Sequence, residues 1–236
     1  MRDAKEPMKL AIMQPYFFPH LGYFQLIHAV DSFVVYDDVN YIKGGWINRN
    51  FILCQGLPQR LTLSLEKASP NRLINDISVG SNNAKLLKTI AQNYGKAPYF
   101  SKIFPLVEEI IGYSDLRLGK YLFHAIQLMT TSLGIDTQLI ESSAILKNNE
   151  LKGVEKVVDI CKTLEASHYI NSPGGRSLYD HDYFQKQGLA LSFIEPLLHT
   201  YRQFDDSFVP RLSILDVLMF NSKQRVAELL ESYELA

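Results

Sequence analysis

Residues 9 to 38 leave the chain few choices. Lys9-Leu-Ala-Ile-Met13 is an apolar run of strand length. The following Gln14-Pro-Tyr-Phe-Phe-Pro19 is not helical, because each proline pushes the residue before it toward extended geometry. From His20 to Val30, Leu21, Phe24, Ile27 and Val30 recur at helical spacing. Asp31-Ser32 breaks that pattern, and Phe33-Val-Val-Tyr36 is a β-branched, aromatic second strand. Two strands joined by one helix of about three turns predict a βαβ unit with parallel strands and a right-handed crossover.

Parallel sheets bind ligands beyond the carboxyl ends of their strands. Gln14, Tyr16 and His20 follow the first strand and Asp37 and Asp38 the second, so both groups point to one crevice. The helix starting near His20 turns free N–H groups into that crevice, which suits phosphate or carboxylate. Gly22, in its first turn, allows a ligand to approach the backbone. The bland alternative is a loop that only packs its aromatic rings.

The next segment, Val39 to Asn50, carries Lys43, Trp46 (the sole tryptophan), Asn48, Arg49 and Asn50 within eight residues, with Gly44-Gly45 among them to allow unusual backbone angles. Phe51–Cys54 and Arg60–Leu65 then read as a β-hairpin, with Leu61, Leu63 and Leu65 on its core face. This insertion over 39–66 is placed to wall the crevice; the alternative is an exposed hairpin with incidental Lys and Arg. Residues 66–81 read as loop with one short element. A helical segment fills 82–134: one helix capped by Asn82 or Asn83 and stopped at Gly95, a second from Ala97-Pro98 to Gly112, and a third from Leu116 to Leu133, capped by Ser114 or Asp115 and ended by Gly134.

The βα rhythm then resumes. Strands are expected at Thr137–Ile140, His168–Ile170 and Leu189–Ile194, and helices at Lys152–Leu164, Tyr179–Gln187, Leu212–Phe220 and Gln224–Leu230, the last two separated by an Asn221-Ser222 cap. The five parallel strands exit into Gln14-Pro-Tyr16, Asp37-Asp38, Ser142-Ser143, Asn171-Ser-Pro-Gly-Gly175 and Glu195-Pro196, all polar or turn-rich. The fold class is α/β: a Rossmann-like, mostly parallel sheet in a single domain over 1–236. Residues 1–7 read as a disordered leader, with Met8 as a possible start.

Charge and cysteine content narrow the function. Basic and acidic residues number 24 and 25 without a long single-sign block, which argues against nucleic acid as the partner. Cys54 and Cys161 are far apart and read as buried thiols of a reducing compartment. No apolar run reaches the ~18 residues of a membrane span, and there is no signal-peptide core. The expectation is a cytoplasmic protein without membrane insertion. There is no phosphate-binding Walker loop, Gly-x-Gly-x-x-Gly, zinc ligand pair or Gly-x-Ser-x-Gly elbow. Asp180-His181-Asp182 holds metal-capable groups on a polar turn, where solvation is the simpler reading, so no metal site is assigned; no cofactor is named by the sequence.

His20-Leu-Gly-Tyr23 resembles the His-x-Gly-His motif of nucleotidylyltransferases, with Tyr23 in place of the second histidine. A longer match is to the WbqC-like family. Met13-Gln-Pro-Tyr-Phe-Phe-Pro19, Leu21-Gly-Tyr-Phe-Gln-Leu-Ile27, Tyr36-Asp-Asp-Val39, Lys43-Gly-Gly-Trp-Ile-Asn-Arg-Asn50, Tyr169-Ile-Asn-Ser-Pro-Gly-Gly175 and Leu212-Ser-Ile-Leu-Asp-Val-Leu-Met-Phe-Asn221 are similar to its signature and span nearly the whole chain. That resemblance implies work on a nucleotide-linked sugar for O-antigen or another surface polysaccharide.

The candidate site follows. Lys43 and Arg49 are read as phosphate ligands, Trp46 or Tyr16 as the stacking group, and His20, Asp37 and Asp38 as acid–base candidates. Gln14, Gly22, Tyr23, Asn48, Asn50, Ser143, Asn171, Ser172, Gly174 and Gly175 complete the expected lining. Asp37 is expected beside a basic group such as Lys43 or Arg49. The partner is a small molecule, a nucleotide sugar, met by a transferase of acyl or aminoacyl groups. The alternatives are an ATP- or CTP-dependent nucleotidylyltransferase or ligase, and a non-catalytic scaffold; oligomeric state is not legible.

Overall fold

The computed structural model describes residues 8–236; the expected leader lies outside them. In chain order the elements are β1 (Lys9–Met13), α1 (Leu21–His28), β2 (Ser32–Val35), β3 (Arg49–Cys54), β4 (Leu57–Thr62), β5 (Leu65–Glu66), β6 (Ser78–Val79), α2 (Asn83–Tyr94), α3 (Phe100–Ile111), α4 (Leu118–Leu133), β7 (Gln138–Glu141), α5 (Gly153–Thr163), β8 (His168–Asn171), α6 (His181–Lys186), β9 (Ala190–Pro196), α7 (Ile214–Phe220), α8 (Lys223–Leu230) and β10 (Tyr233–Leu235). The main sheet runs β10-β9-β8-β1-β2-β7, all parallel except β10. The expected five parallel strands are therefore all present. Ranked by chain order they read 5-4-1-2-3, the doubly wound arrangement whose direction reverses beside the first strand.

Strand alternation divides the core in two. Ala11, Phe33, Val35, Ile170 and Ile194 face α1, α4, α7 and α8. Leu10, Ile12, Val34, Tyr169 and Phe193 face α5 and α6. Because both faces are covered, β1 and β2 are continuous apolar runs rather than alternating ones. Gln25, fully buried in α1, donates to Leu229 O (2.8 Å) and Ser232 O (3.0 Å), tying the end of α8 to the first helix.

Several local expectations are corrected. The second hairpin strand ends at Thr62, and Leu65-Glu66 pairs instead with Ser78-Val79. Neither Ser114 nor Asp115 caps α4; Arg117 occupies the N-cap and Asp115 accepts from its N–H (3.1 Å) and guanidinium. Asn82 is the N-cap of α2, as expected, but its side chain makes no cap bond, because it accepts from Ser64 N (3.0 Å) and donates to Thr62 O (2.9 Å). Strand β10 carried no periodic signal, since three residues at a sheet edge are too few to show one.

The turn after β8 supplies a stability test. A Cβ at Gly175 would sit 2.5 Å from Asn171 Nδ2, whereas one at Gly174 would meet nothing nearer than Ser172 Oγ at 4.0 Å. Gly175→Ala is expected to lose about 1–3 kcal/mol by overpacking. Gly174→Ala should stay within about 0.5 kcal/mol of wild type. Urea unfolding of both variants checks this, and equal midpoints would refute the packing account.

Candidate functional site

The exits of β1 and β8 lie on either side of the point where the strand order reverses, and a cleft of about 180 Å³ opens there. Its buried lining is apolar, from Tyr23, Leu26 and Ile194. Polar groups reach it from Tyr16, His20 and Ser172, and Trp46, 47% exposed, stands at its edge. Of the expected site residues, Tyr16, His20, Gly22, Tyr23, Trp46 and Ser172 thus share one cleft.

His20 is the N-cap of α1, in extended geometry and with no side-chain cap; the first turn holds no acidic residue. Gly22, in the cleft lining, also makes room for the histidine. A Cβ there would lie 3.1 Å from His20 Cε1, 3.2 Å from Nδ1 and 3.3 Å from Pro196 Cγ, so the imidazole occupies the space. Part of the ring stays open to solvent, but the concave, crowded surroundings disfavour its charged form, and the nearby Arg211 adds to this; its pKa is lowered from the ordinary histidine value. A neutral imidazole at neutral pH is able to accept a proton. Tyr23 spends its hydroxyl on Gln14 O (3.1 Å), which makes it a packing and loop-holding residue.

Two loops clasp around His20. Phe18 O accepts from Asn50 Nδ2 (2.6 Å) and Ser213 Oγ (2.9 Å), Ile214 N donates to Pro19 O (2.8 Å), and His20 bridges Ser213. Phe18 and Arg211, one in each loop, hold left-handed backbone at φ 44° and 60°. Such conformations cost roughly 1–3 kcal/mol in a non-glycine residue and gather at functional sites.

Asp37, Asp38 and Ser143 form a separate cluster at the ends of β2 and β7. Asp37, 2% exposed, accepts from Ser143 N (2.9 Å) and Ser143 Oγ (2.6 Å). The expectation of Lys43 or Arg49 beside it is wrong: both its hydrogen bonds come from Ser143, and burial raises its pKa against them. The lysines belong to Asp38, which meets Lys147 at 2.8 Å and Lys156 at 3.1 Å, both almost wholly buried. Burial opposes ionisation of Asp38, but the lysine hydrogen bonds outweigh it and hold its carboxyl below the ordinary range. Lys147 also donates to Ser142 O, and the Lys156 ammonium lies 5.3 Å from the Tyr36 ring centroid. These contacts fasten α5 and the turn after β7 to the end of β2.

The expected asparagines brace backbone. Asn48 accepts from Tyr41 Oη (2.8 Å) and donates to Leu63 O (2.8 Å). Asn50 holds Phe18 as above, and Asn171 accepts from Ser172 N (2.7 Å) while packing against Gly175. Lys43 is exposed; Arg49 is half-buried, and its Nε has no partner among the described residues. Asp180 caps α6 through Tyr183 N (2.8 Å), a local role for the Asp-His-Asp turn. Arg211, Pro173 and Ile194 were missed. Pro173 lies inside the expected Asn171–Gly175 exit and Ile194 ends an expected strand, so a local signal for both was present; Arg211, outside the cleft lining, comes near His20 only through the tertiary approach of its loop, which no local pattern marks.

A WbqC-like family profile matches residues 14–228. The chain belongs to the WbqC-like protein family. It is 32% identical over 224 residues to the uncharacterized protein Rv1507c of Mycobacterium tuberculosis, covering 90% of this chain and 93% of that one. No solved structure matches. Family membership thus runs through the strand ends and loops that build the cleft, and among the described residues no helix is long and apolar enough to cross a membrane.

Asp37 gives this site a pH signature. Its unfolded pKa is near 3.8 and its folded pKa is higher. Between the two, the native state holds more protons than the unfolded state, so the stability that Asp37 contributes is full below the unfolded value and falls as pH rises through the folded one. Asp37→Asn is able to keep both contacts with Ser143 and removes that titration. Urea midpoints from pH 4 to 7 should show wild type losing stability relative to the variant as pH rises; parallel profiles would contradict this.

Proposed function

We propose that this protein is a cytoplasmic transferase that modifies a nucleotide-activated sugar or amino sugar for surface-polysaccharide assembly, by acyl or aminoacyl transfer. The observation that carries the reading is the cleft at the reversal point of the sheet, where a neutral imidazole and an uncapped helix start meet an apolar lining. Crevices at this topological position favour nucleotide ligands, and a helix start favours their phosphates. At about 180 Å³ the cleft is smaller than the ~300–1,000 Å³ that encloses a whole drug-sized molecule, so it takes one end of the ligand and leaves the rest across the open surface near Trp46. The apolar lining suits a base or an acyl group better than bare hydroxyls. When a sugar amine attacks an acyl donor, the new N–C bond forms as the donor's leaving group departs, and His20 takes the proton the amine loses.

A panel of UDP-, GDP-, dTDP- and CMP-linked sugars tests this by thermal shift and by fluorescence of Trp46, the sole tryptophan. A ligand at 100 times its Kd stabilises by about 2.7 kcal/mol, which raises Tm by roughly 5–10 °C in a chain of this size. One nucleotide class should do so and change Trp46 emission. His20→Asn should keep binding while turnover falls about 10²–10⁴-fold. A flat response to the entire panel would sink the reading.

Nucleotidylyl transfer is a second reading, favoured by the placement of His20 and Gly22 at the start of α1 beside the reversal point. Tyr23 weighs against it, because its hydroxyl is committed to Gln14 O. Magnesium-dependent pyrophosphate release from ATP or CTP would favour this alternative.

A further inference from the structure

Asp216 is fully buried in α7 and has no cationic partner among the described residues. Its carboxylate accepts from Tyr94 Oη (3.0 Å), Tyr201 Oη (2.6 Å) and Gln203 Nε2 (2.6 Å). Two of these donors lie on the segment between β9 and α7, not on a neighbouring helix. Gln203 in turn clamps Val209, accepting from its N–H (2.8 Å) and donating to its carbonyl (3.1 Å). Four residues on, Ser213 is fixed by its bonds to Phe51 O (2.8 Å) and Phe18 O (2.9 Å) and by the bridge to His20.

Arg211 sits midway between these anchors, with its φ held at 60°. Two residues of chain span no more than about 7 Å, which keeps its backbone close to the His20 bridge. No carboxylate pairs with its guanidinium among the described residues. The left-handed backbone at Arg211 is the kind of strain that gathers at functional sites, and its exposed guanidinium, solvated and unpaired among the described residues, is available to an incoming anion.

We propose that Arg211 is the fixed positive charge that receives the anionic group of the cleft's ligand, and that Asp216 is the positioning residue that keeps it there. The proposal rests on the transferase reading only for the identity of the whole ligand. Around His20 the cleft is lined by Tyr16 on its own loop, Tyr23 of α1, Trp46 and Ser172 beyond β8, none of them charged; Arg211, at the rim beyond that lining, is the cation whose field acts on His20. Its displacement is therefore readable at His20.

Inorganic pyrophosphate is the probe, followed by calorimetry and Trp46 emission, with the His20 titration midpoint followed by NMR. Wild type should bind pyrophosphate, Arg211→Gln about tenfold or more weakly, and Arg211→Lys in between. Asp216→Asn, and the milder Tyr201→Phe should the first not fold, should weaken binding and raise the His20 midpoint toward that of Arg211→Gln. Ile160→Ala, in the core on the other side of the sheet, should lower stability and leave that midpoint unchanged. Equal affinity of wild type and Arg211→Gln, no pyrophosphate binding by wild type, or folded Asp216 and Tyr201 variants with an unmoved midpoint would each overturn the proposal. Arg211-dependent pyrophosphate binding with no nucleotide sugar bound would remove the sugar reading and leave this one standing; sugar-nucleotide binding indifferent to Arg211 would do the reverse.

Discussion

The position of β1 at the centre of the sheet is the constraint from which the rest follows. It pairs in parallel with β2 on one side and β8 on the other, and its side chains are buried on both faces. The chain leaving β1 turns into α1 on one face, while the chain leaving β8 runs to α6 on the opposite face. Two neighbouring strand ends that diverge in this way leave a gap no side chain of the sheet can fill. The cleft is that gap, lined by the β1 and β8 exits together with Leu26 of α1 and Ile194 and Pro196 of β9, with Trp46 at its edge.

Buried charge is managed in two different ways around it. Asp38 is matched by two buried lysines, an arrangement whose Coulomb gain is largely offset by the desolvation of three charges but which is costly to break, about 3–5 kcal/mol when a partner is lost. It therefore fixes geometry more than it adds stability. Asp216 is matched only by neutral donors, two tyrosines and a glutamine, and burial raises its pKa despite them. None of its donors carries charge, and through Gln203 and Val209 their bonds fix the segment that leads to Arg211.

Much of the fold was legible because its signals are local. A βαβ unit shows itself by a change of period, from a continuous apolar strand to a helical stripe and back, and all five parallel strands carried that mark. Helix ends at Gly134, where φ is 72°, and at Ser222, whose hydroxyl accepts from Arg225 N, are likewise set by one or two residues. The side-chain caps expected of Asp115 and Asn82 do not form because those side chains have competing partners at hydrogen-bond distance. Local propensity cannot see such partners.

The sequence by itself determined that His20 stands at a helix start beyond a parallel strand, since strand, Pro-rich turn and helix are contiguous. Only the tertiary structure decided which polar residues share the cleft. Asp37 and Asn171 also leave parallel strands, but hydrogen bonds accepted from Ser143 and from Ser172 turn their side chains to bracing the backbone. Arg211 lies 191 positions from His20, and its loop is held there by the bridge from Ser213 to His20 and by the bonds of Gln203 to Asp216 and Val209. Hydrogen-bond partners at that separation are chosen by the folded packing, because no periodic pattern in a chain encodes which of several exposed charges a distant loop will carry to a strand end.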